Sequence, residues 1–155
     1  MRRARLGPRW AALLALALAA LAAPACADEG FSLDGSLGAV YPLSADRVRA
    51  RLYPSELAIE FVRDNGEVPV RITIRRAEAE VVRPGSVDLG RYGDVTGSLA
   101  DREMPPFDDG ELIFDEVGRD EGDALSGSFT ARFVAGRATY DLHGSFATHL
   151  EVVAF

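Results

Sequence analysis

Apolar and polar residues alternate along much of the chain after residue 28. The alternation is clearest in residues 47–52, 56–61 and 68–74, where every second side chain is apolar. A period of two puts successive side chains on opposite faces, which is the pattern of a half-buried β-strand. Residues 47–52 also fit a helix that begins at Ser44. Of these two assignments, we prefer the strand.

Asn65-Gly66 lies between the last two runs and predicts a β-hairpin, because two-residue turns of this type need a positive φ at both positions. With these two residues as the loop, apolar residues pair on one face and opposite charges on the other. The pairs are Phe61–Val70, Ile59–Ile72, Leu57–Ile74, Glu60–Arg71 and Glu56–Arg75. A shift of the strand register by one residue would place apolar side chains opposite charged ones. Pro69 cannot donate a ladder bond, which predicts an edge strand or a solvent-facing position.

A second hairpin is predicted at Gly136-Arg137, where glycine stands first as a type II′ turn prefers. The resulting pairs are Phe129–Gly144, Gly127–Phe146, Phe133–Tyr140 and Arg132–Asp141. Each glycine then receives the phenylalanine of the opposite strand, an arrangement known as aromatic rescue.

Gly127 and Gly144 belong to a motif, apolar-x-Gly-Ser-apolar, that also occurs around Gly35 and Gly97. We interpret all four as glycines within strands, where a missing side chain permits close packing. A functional interpretation would need a nucleophile elbow, G-x-S-x-G, or the lysine of a phosphate-binding loop. None of the four has either feature, and the sequence contains no lysine.

These patterns predict an all-β domain, a small antiparallel β-sandwich or partly closed β-barrel of about eight strands. Residues 28–155 would form this single domain, because 155 residues leave no room for a second core.

The first 27 residues predict a secretory signal peptide. Four arginines and no acid precede an uncharged run of alanine and leucine, and Ala25-Cys26-Ala27 is a small-x-small cleavage site. The run of roughly 14 residues is short for a membrane-spanning helix, which needs about 20. We expect cleavage before Asp28 and a periplasmic or extracellular product. A retained membrane anchor is the less favoured outcome.

Ala23-Pro24-Ala25-Cys26 also resembles a bacterial lipobox, in which Cys26 would become the acylated first residue of a membrane-anchored lipoprotein. Alanine and proline at the first two positions depart from that pattern. The polar tether after the cysteine would also be short, since only Asp28, Glu29 and Gly30 precede the apolar Phe31.

Charge narrows the choice of partners. Cleavage before Asp28 leaves 13 arginines against 24 acids, a net charge of −11, which disfavours nucleic acid and anionic lipid. The mature chain would contain no cysteine, which suits an oxidising compartment. The expected partner is a protein or another component of the cell envelope.

His143 and His149 are the two histidines, and they lie six residues apart on one predicted strand. Their Cα atoms would be roughly 20 Å apart, too far to chelate one ion together. Asp141, His143 and Ser145 share an outward face, but side chains on one strand face point in parallel, and nothing supplies an oxyanion hole. We therefore predict no catalytic residue, no cofactor and no enzymatic activity.

The acidic stretch 101–123 has ten carboxylates against two arginines. Its candidate calcium ligands are Asp108, Asp109, Asp120 and Asp123. Their spacing does not match an EF-hand loop. We expect solvated loops on either side of a strand over 111–117, and no metal site.

The leading functional expectation is an exported, non-enzymatic interaction module. A lipocalin-like calyx for a small apolar ligand is the alternative, and a filled or hollow interior distinguishes the two. An outer-membrane β-barrel is a further alternative, and its lipid face would consist of Tyr140, Leu142, Phe146, Leu150 and Val152. It is disfavoured because eight strands of about ten residues plus loops would strain the mature length.

Overall fold

The computed structural model describes residues 30–75 and 85–153. That part of the chain contains nine strands: β1 (Gly30–Asp34), β2 (Arg47–Leu52), β3 (Glu56–Val62), β4 (Val68–Arg75), β5 (Gly85–Asp88), β6 (Gly93–Ser98), β7 (Phe107–Val117), β8 (Ala124–Ala135) and β9 (Ala138–Val152). A 3-10 helix, Ser36–Ala39, follows β1, and one helical turn, α1 (Leu89–Tyr92), joins β5 to β6. The strand predicted over 47–52 is confirmed in place of the helix.

The strands form one nearly closed, barrel-shaped sheet in the order β5-β7-β8-β9-β2-β3-β4-β6. The all-β prediction is confirmed, and of its two forms the partly closed barrel is the one observed. β1 pairs with β9 beside this path. All described pairs are antiparallel except β2–β9, which runs parallel with Ala50 opposite Leu150.

The fifteen-residue strand β9 organises one side of the barrel. One edge pairs with β8 from Ala138 to His149. The other edge pairs first with β1, with Ser145 opposite Ser32, and then with β2 from Leu150 onward. The barrel wall therefore joins the first and last described strands.

Barrel closure on the other side depends on the segment 85–98. β5 pairs with β7 at one end of the sheet, and β6 pairs with β4 at the other end. Between them, the Asp88 carboxylate accepts a hydrogen bond from the Arg91 backbone N–H at 3.1 Å and so caps α1. Leu89 of α1 is buried. A capped turn with one buried anchor carries the chain from one sheet edge to the other.

Buried side chains pack against one another inside the barrel. The Phe61 ring from β3 contacts the rings of Phe31 and Phe129 at centroid distances of 5.7 and 5.8 Å. Leu37 of the 3-10 helix and Tyr41 just after it are also fully buried. The Tyr41 hydroxyl donates a hydrogen bond to the Pro69 carbonyl at 3.0 Å, and burial raises the Tyr41 pKa. The β1–β2 connection thus contributes directly to the core.

The β3–β4 register is confirmed at every predicted pair, but its turn differs from the prediction. Gly66 has a φ of 89°, while no non-glycine residue in the described ranges has a positive φ, so Asn65 does not adopt the conformation that a two-residue turn requires. The Gly66 N–H donates to the Arg63 carbonyl, and the Arg63 N–H donates to the Glu67 carbonyl. The loop therefore has three residues, with only its last position left-handed.

Pro69 was expected at an edge or facing solvent, and both expectations are wrong. It is buried in β4, which lies between β3 and β6. The β4–β6 register shifts between Val68 and Arg71. This irregularity allows an inner strand to contain a residue without a backbone donor.

The β8–β9 hairpin matches its predicted register throughout. Gly136 has a φ of 63° and Arg137 has no positive φ, as a type II′ turn requires. A Cβ built on Gly144 would lie 2.7 Å from the Phe129 ring, and one built on Gly127 would lie 3.0 Å from the Phe146 ring. Of the four motif glycines, only Gly35 lies outside a strand, immediately after β1.

Candidate functional site

The outer face of five strands, β1, β9, β8, β7 and β5, forms a polar surface. The registers align one row of outward residues, Ser32, Ser145, Ser128, Ile113 and Ser86. They align a second row of Asp34, His143, Thr130, Glu111 and Asp88. This surface, named the five-strand face, brings together residues that are far apart in sequence.

A groove of about 300 Å³ lies on the five-strand face between the beginnings of β7 and β9. Asp109, Arg132, Asp141 and His143 are its charged or titratable lining residues. Arg132 donates to Asp108 at 2.9 Å and to Asp109 at 3.3 Å. These carboxylates, Asp108 first, raise the pKa of Arg132. The groove therefore presents a fixed guanidinium among acids.

Arg132 lies opposite Asp141 in the register, as predicted. Its two hydrogen bonds go to β7, because Asp108 and Asp109 are on the neighbouring strand. The sequence pattern identified the right cross-strand neighbour and missed these two bonding partners.

Asp141, His143 and Ser145 are all exposed along β9, as the alternation predicted. His143 Nε2 is 3.9 Å from Asp34 Oδ2, on β1. The Ser145 hydroxyl hydrogen-bonds the Ser32 hydroxyl at 2.8 Å. Both contacts cross to β1, so the three side chains of β9 do not form a relay along their own strand.

The calcium candidates are divided between the two ends of β7. Asp108 and Asp109 are within that strand, so the loop expected there is wrong, and the strand begins at Phe107. Asp120 and Asp123 lie in the β7–β8 turn, where the Asp123 carboxylate accepts the backbone N–H groups of Arg119 and Asp120 at 2.9 and 3.0 Å. These bonds lower the pKa of Asp123. Both bonds are accepted by Oδ2 of this carboxylate.

Within residues 30–75 and 85–153, no three His, Cys, Asp or Glu side chains are placed to hold a metal ion together. In the same part of the chain, no helix is long and apolar enough to cross a bilayer. Cys26, the lipidation candidate, and the rest of segment 1–27 lie outside the described residues.

A charge cluster on the outer face of β2, β3 and β4 was only partly foreseen. Glu60 is 5% exposed and accepts a hydrogen bond from Arg49 Nε at 2.6 Å. Arg71 Nε and Arg51 Nη1 lie 3.6 and 3.9 Å from its carboxylate oxygens. Arg71 also bonds Glu56 at 2.5 Å. Sequence pairing predicted the Glu60–Arg71 neighbours, whereas the contributions of β2 depend on the observed sheet order.

Glu67, beside the β3–β4 turn, is a second polar centre that the sequence pattern did not reveal. Its carboxylate accepts hydrogen bonds from Asn65 Nδ2 at 2.9 Å, Arg63 Nη1 at 3.0 Å and the Ala100 N–H at 3.2 Å. These bonds, that from Asn65 first, lower the pKa of Glu67. They fasten the β6–β7 connection to the hairpin.

Compared with protein-family models, curated proteins and solved structures, the chain matches none of them.

Proposed function

We propose that this chain is an exported, non-enzymatic β-domain that acts as an interaction module of the cell envelope or of the secreted fraction. The five-strand face is its binding surface in this proposal. The partner is a protein or another envelope component that presents hydrogen-bonding and charged groups to the acids, the hydroxyls, Arg132 and His143 of that face.

Contact between Phe61 and Phe129 is the observation that carries this proposal. The two rings come from β3 and β8, which are separated by β9 and β2 in the sheet, and they meet inside the barrel at 5.8 Å. Tyr41, Phe114 and Phe133 are buried in the same core. A small barrel packed in this way favours recognition on its outer wall over a calyx for an apolar ligand.

The distribution of apolar residues also supports a domain folded around its own core. Of the five residues that a membrane barrel would turn towards lipid, Leu142, Phe146 and Leu150 are at most 2% exposed and belong to the core cluster. Tyr140 is partly buried against that cluster, and Val152 is 40% exposed. The neighbouring outward positions of β9 are polar, among them Asp141, His143 and Glu151. Export itself rests on the pattern of residues 1–27.

A ligand titration tests surface recognition against the calyx. A fluorescent fatty acid should show no saturable, one-to-one binding to the folded chain. Stoichiometric uptake, with displacement by unlabelled fatty acid, would favour the calyx and contradict the proposal.

Binding to the envelope provides the positive test. The purified chain should sediment with the envelope fraction of its host, and the variant Arg132→Ala with His143→Ala should lose most of that binding. The matched control, Arg47→Ala with His149→Ala, changes the same residue types at the β2–β9 groove. Equal binding by both variants would rule out the five-strand face as the surface.

A further inference from the structure

We propose that Asn65 is a site of spontaneous deamidation and that the folded β3–β4 turn slows this reaction. When the β3–β4 turn opens, the Gly66 backbone nitrogen attacks the Asn65 side chain and converts its amide to a carboxylate. Asn65 is exposed, and a Cβ built on Gly66 meets nothing within 4 Å. The space beside the Gly66 Cα is therefore open.

The reaction requires only water as co-reactant. The Gly66 nitrogen forms a bond to Asn65 Cγ and gives up its proton to solvent base. The Cγ–Nδ2 bond breaks, and the amide nitrogen leaves as ammonia after taking up a proton. Water then opens the resulting five-membered imide at one of its two carbonyls. The products are aspartate and isoaspartate at position 65.

In the folded turn, both reacting groups are held by other partners. The Gly66 N–H donates to the Arg63 carbonyl at 2.9 Å. Asn65 Oδ1 accepts the Glu67 N–H at 3.0 Å, and Asn65 Nδ2 donates to Glu67 Oε2 at 2.9 Å. Attack requires the nitrogen and Cγ to reach a near-attack geometry, and these bonds must break first. The reaction therefore proceeds through local opening of the turn.

Modification of Asn65 would weaken the turn that slows the reaction in the folded chain. A carboxylate at position 65 cannot donate to Glu67 and repels it instead. Isoaspartate would also lengthen the backbone of a three-residue loop whose bonds to Arg63 depend on its present length. Because Glu67 also accepts the Ala100 N–H, modification is expected to loosen the β6–β7 connection. Because the modification is covalent, it would persist after the turn closes again.

The composition of the chain makes the experiment simple. Asn65 is the only asparagine, and there is no glutamine, so any loss of a side-chain amide is a loss at position 65. Intact-mass spectra of the purified chain at mildly alkaline pH therefore report this site alone. The chain in guanidinium chloride should convert at least about tenfold faster than the folded chain, as an opening free energy near 1.4 kcal/mol implies. Equal rates would disprove protection by the fold, and an unfolded chain that does not convert would disprove the site.

Glu67→Ala tests which contacts keep the turn closed. It removes the acceptor of Asn65 Nδ2, and we expect conversion of the folded variant to be several-fold faster than that of the parent. Glu151→Ala, an acid at the far end of β9, should leave the rate unchanged. The circular dichroism spectrum at the assay temperature establishes that both variants are folded. A folded Glu67→Ala chain that converts at the parental rate would overturn the assigned role of Glu67.

Discussion

The Phe129 ring on β8 lies against the backbone of Gly144 on β9, where a Cβ would be 2.7 Å from Cε1 of that ring. The same Cβ would be 2.3 Å from the Ser32 carbonyl oxygen on β1. Gly144 is therefore enclosed by a ring on one neighbouring strand and by backbone on another. This position joins the β8–β9 hairpin to the N-terminal strand.

Gly144→Val should destabilise the domain by about 1–3 kcal/mol, because backbone and ring must both move to admit the side chain. Ser145→Ala, at the next and exposed position, should cost about 0.5 kcal/mol or less. Urea denaturation midpoints of the two variants provide the measurement. Parental stability of Gly144→Val would contradict the packing of Phe129 on this glycine.

Glu60→Gln should destabilise the domain by about 1–3 kcal/mol. The substitution replaces a buried carboxylate, which three arginines contact, with a neutral amide. Glu151→Gln removes a half-exposed acid that bonds Arg51 at 2.8 Å, and it should cost less than about 1 kcal/mol. Urea is the suitable denaturant, since guanidinium salts screen charges. A smaller loss for Glu60→Gln than for Glu151→Gln would show that burial does not strengthen this cluster.

Acid should remove the stabilisation contributed by Asp123. Its folded-state pKa lies below the ordinary value of 3.8, because the Arg119 and Asp120 N–H groups bond its charged form. The stabilisation is therefore complete above the ordinary pKa and is lost as the pH falls through the folded-state pKa. Unfolding midpoints measured between about pH 5 and pH 1 should fall less steeply for Asp123→Asn than for the parent. Asp115→Asn, at an exposed position of β7, controls for the loss of one acid.

Calcium at millimolar concentration should leave the melting temperature unchanged. Arg132 binds the Asp108 and Asp109 carboxylates, and two backbone N–H groups bond Asp123, so three of the four candidate ligands already have partners. Thermal melts with calcium and with a chelator give the comparison. A saturable rise in melting temperature with calcium would show that the acidic stretch binds it.

Export should yield a mature chain that begins at Asp28. Ala25-Cys26-Ala27 supplies the cleavage site, and Asp28 and Glu29 leave only a short link to β1. The intact mass of the protein recovered from the envelope or medium decides between the two processing routes. A mass that includes Cys26 and acyl chains would establish the lipoprotein instead.

Local sequence determined both hairpin registers and most of the strands, but it predicted neither β5 nor the first four residues of β7. Alternation with a period of two assigned the buried face of these strands, except at Pro69, which is buried although the pattern placed it outside. Each register was the one that paired apolar with apolar and acid with base, as Phe61–Val70 and Arg132–Asp141 show. The same pattern placed His143 on the outer face. These features depend on residues within a few positions of a turn, where chain connectivity restricts the possible pairings.

Only the tertiary structure decided how the hairpins are joined. The parallel β2–β9 pair and the pairing of β1 with β9 link segments far apart in sequence. The crossing from β5 to β6 joins strands that are consecutive in sequence but lie at opposite edges of the sheet. No local pattern selects any of these three arrangements. The same long-range order placed Arg51 beside Glu151 and Asp34 beside His143. It also turned Arg132 towards Asp108, because a long side chain bonds the carboxylates that neighbouring strands bring within reach. The alternating pattern therefore assigned residues to faces, and the twist and closure of the sheet determined which residues meet there.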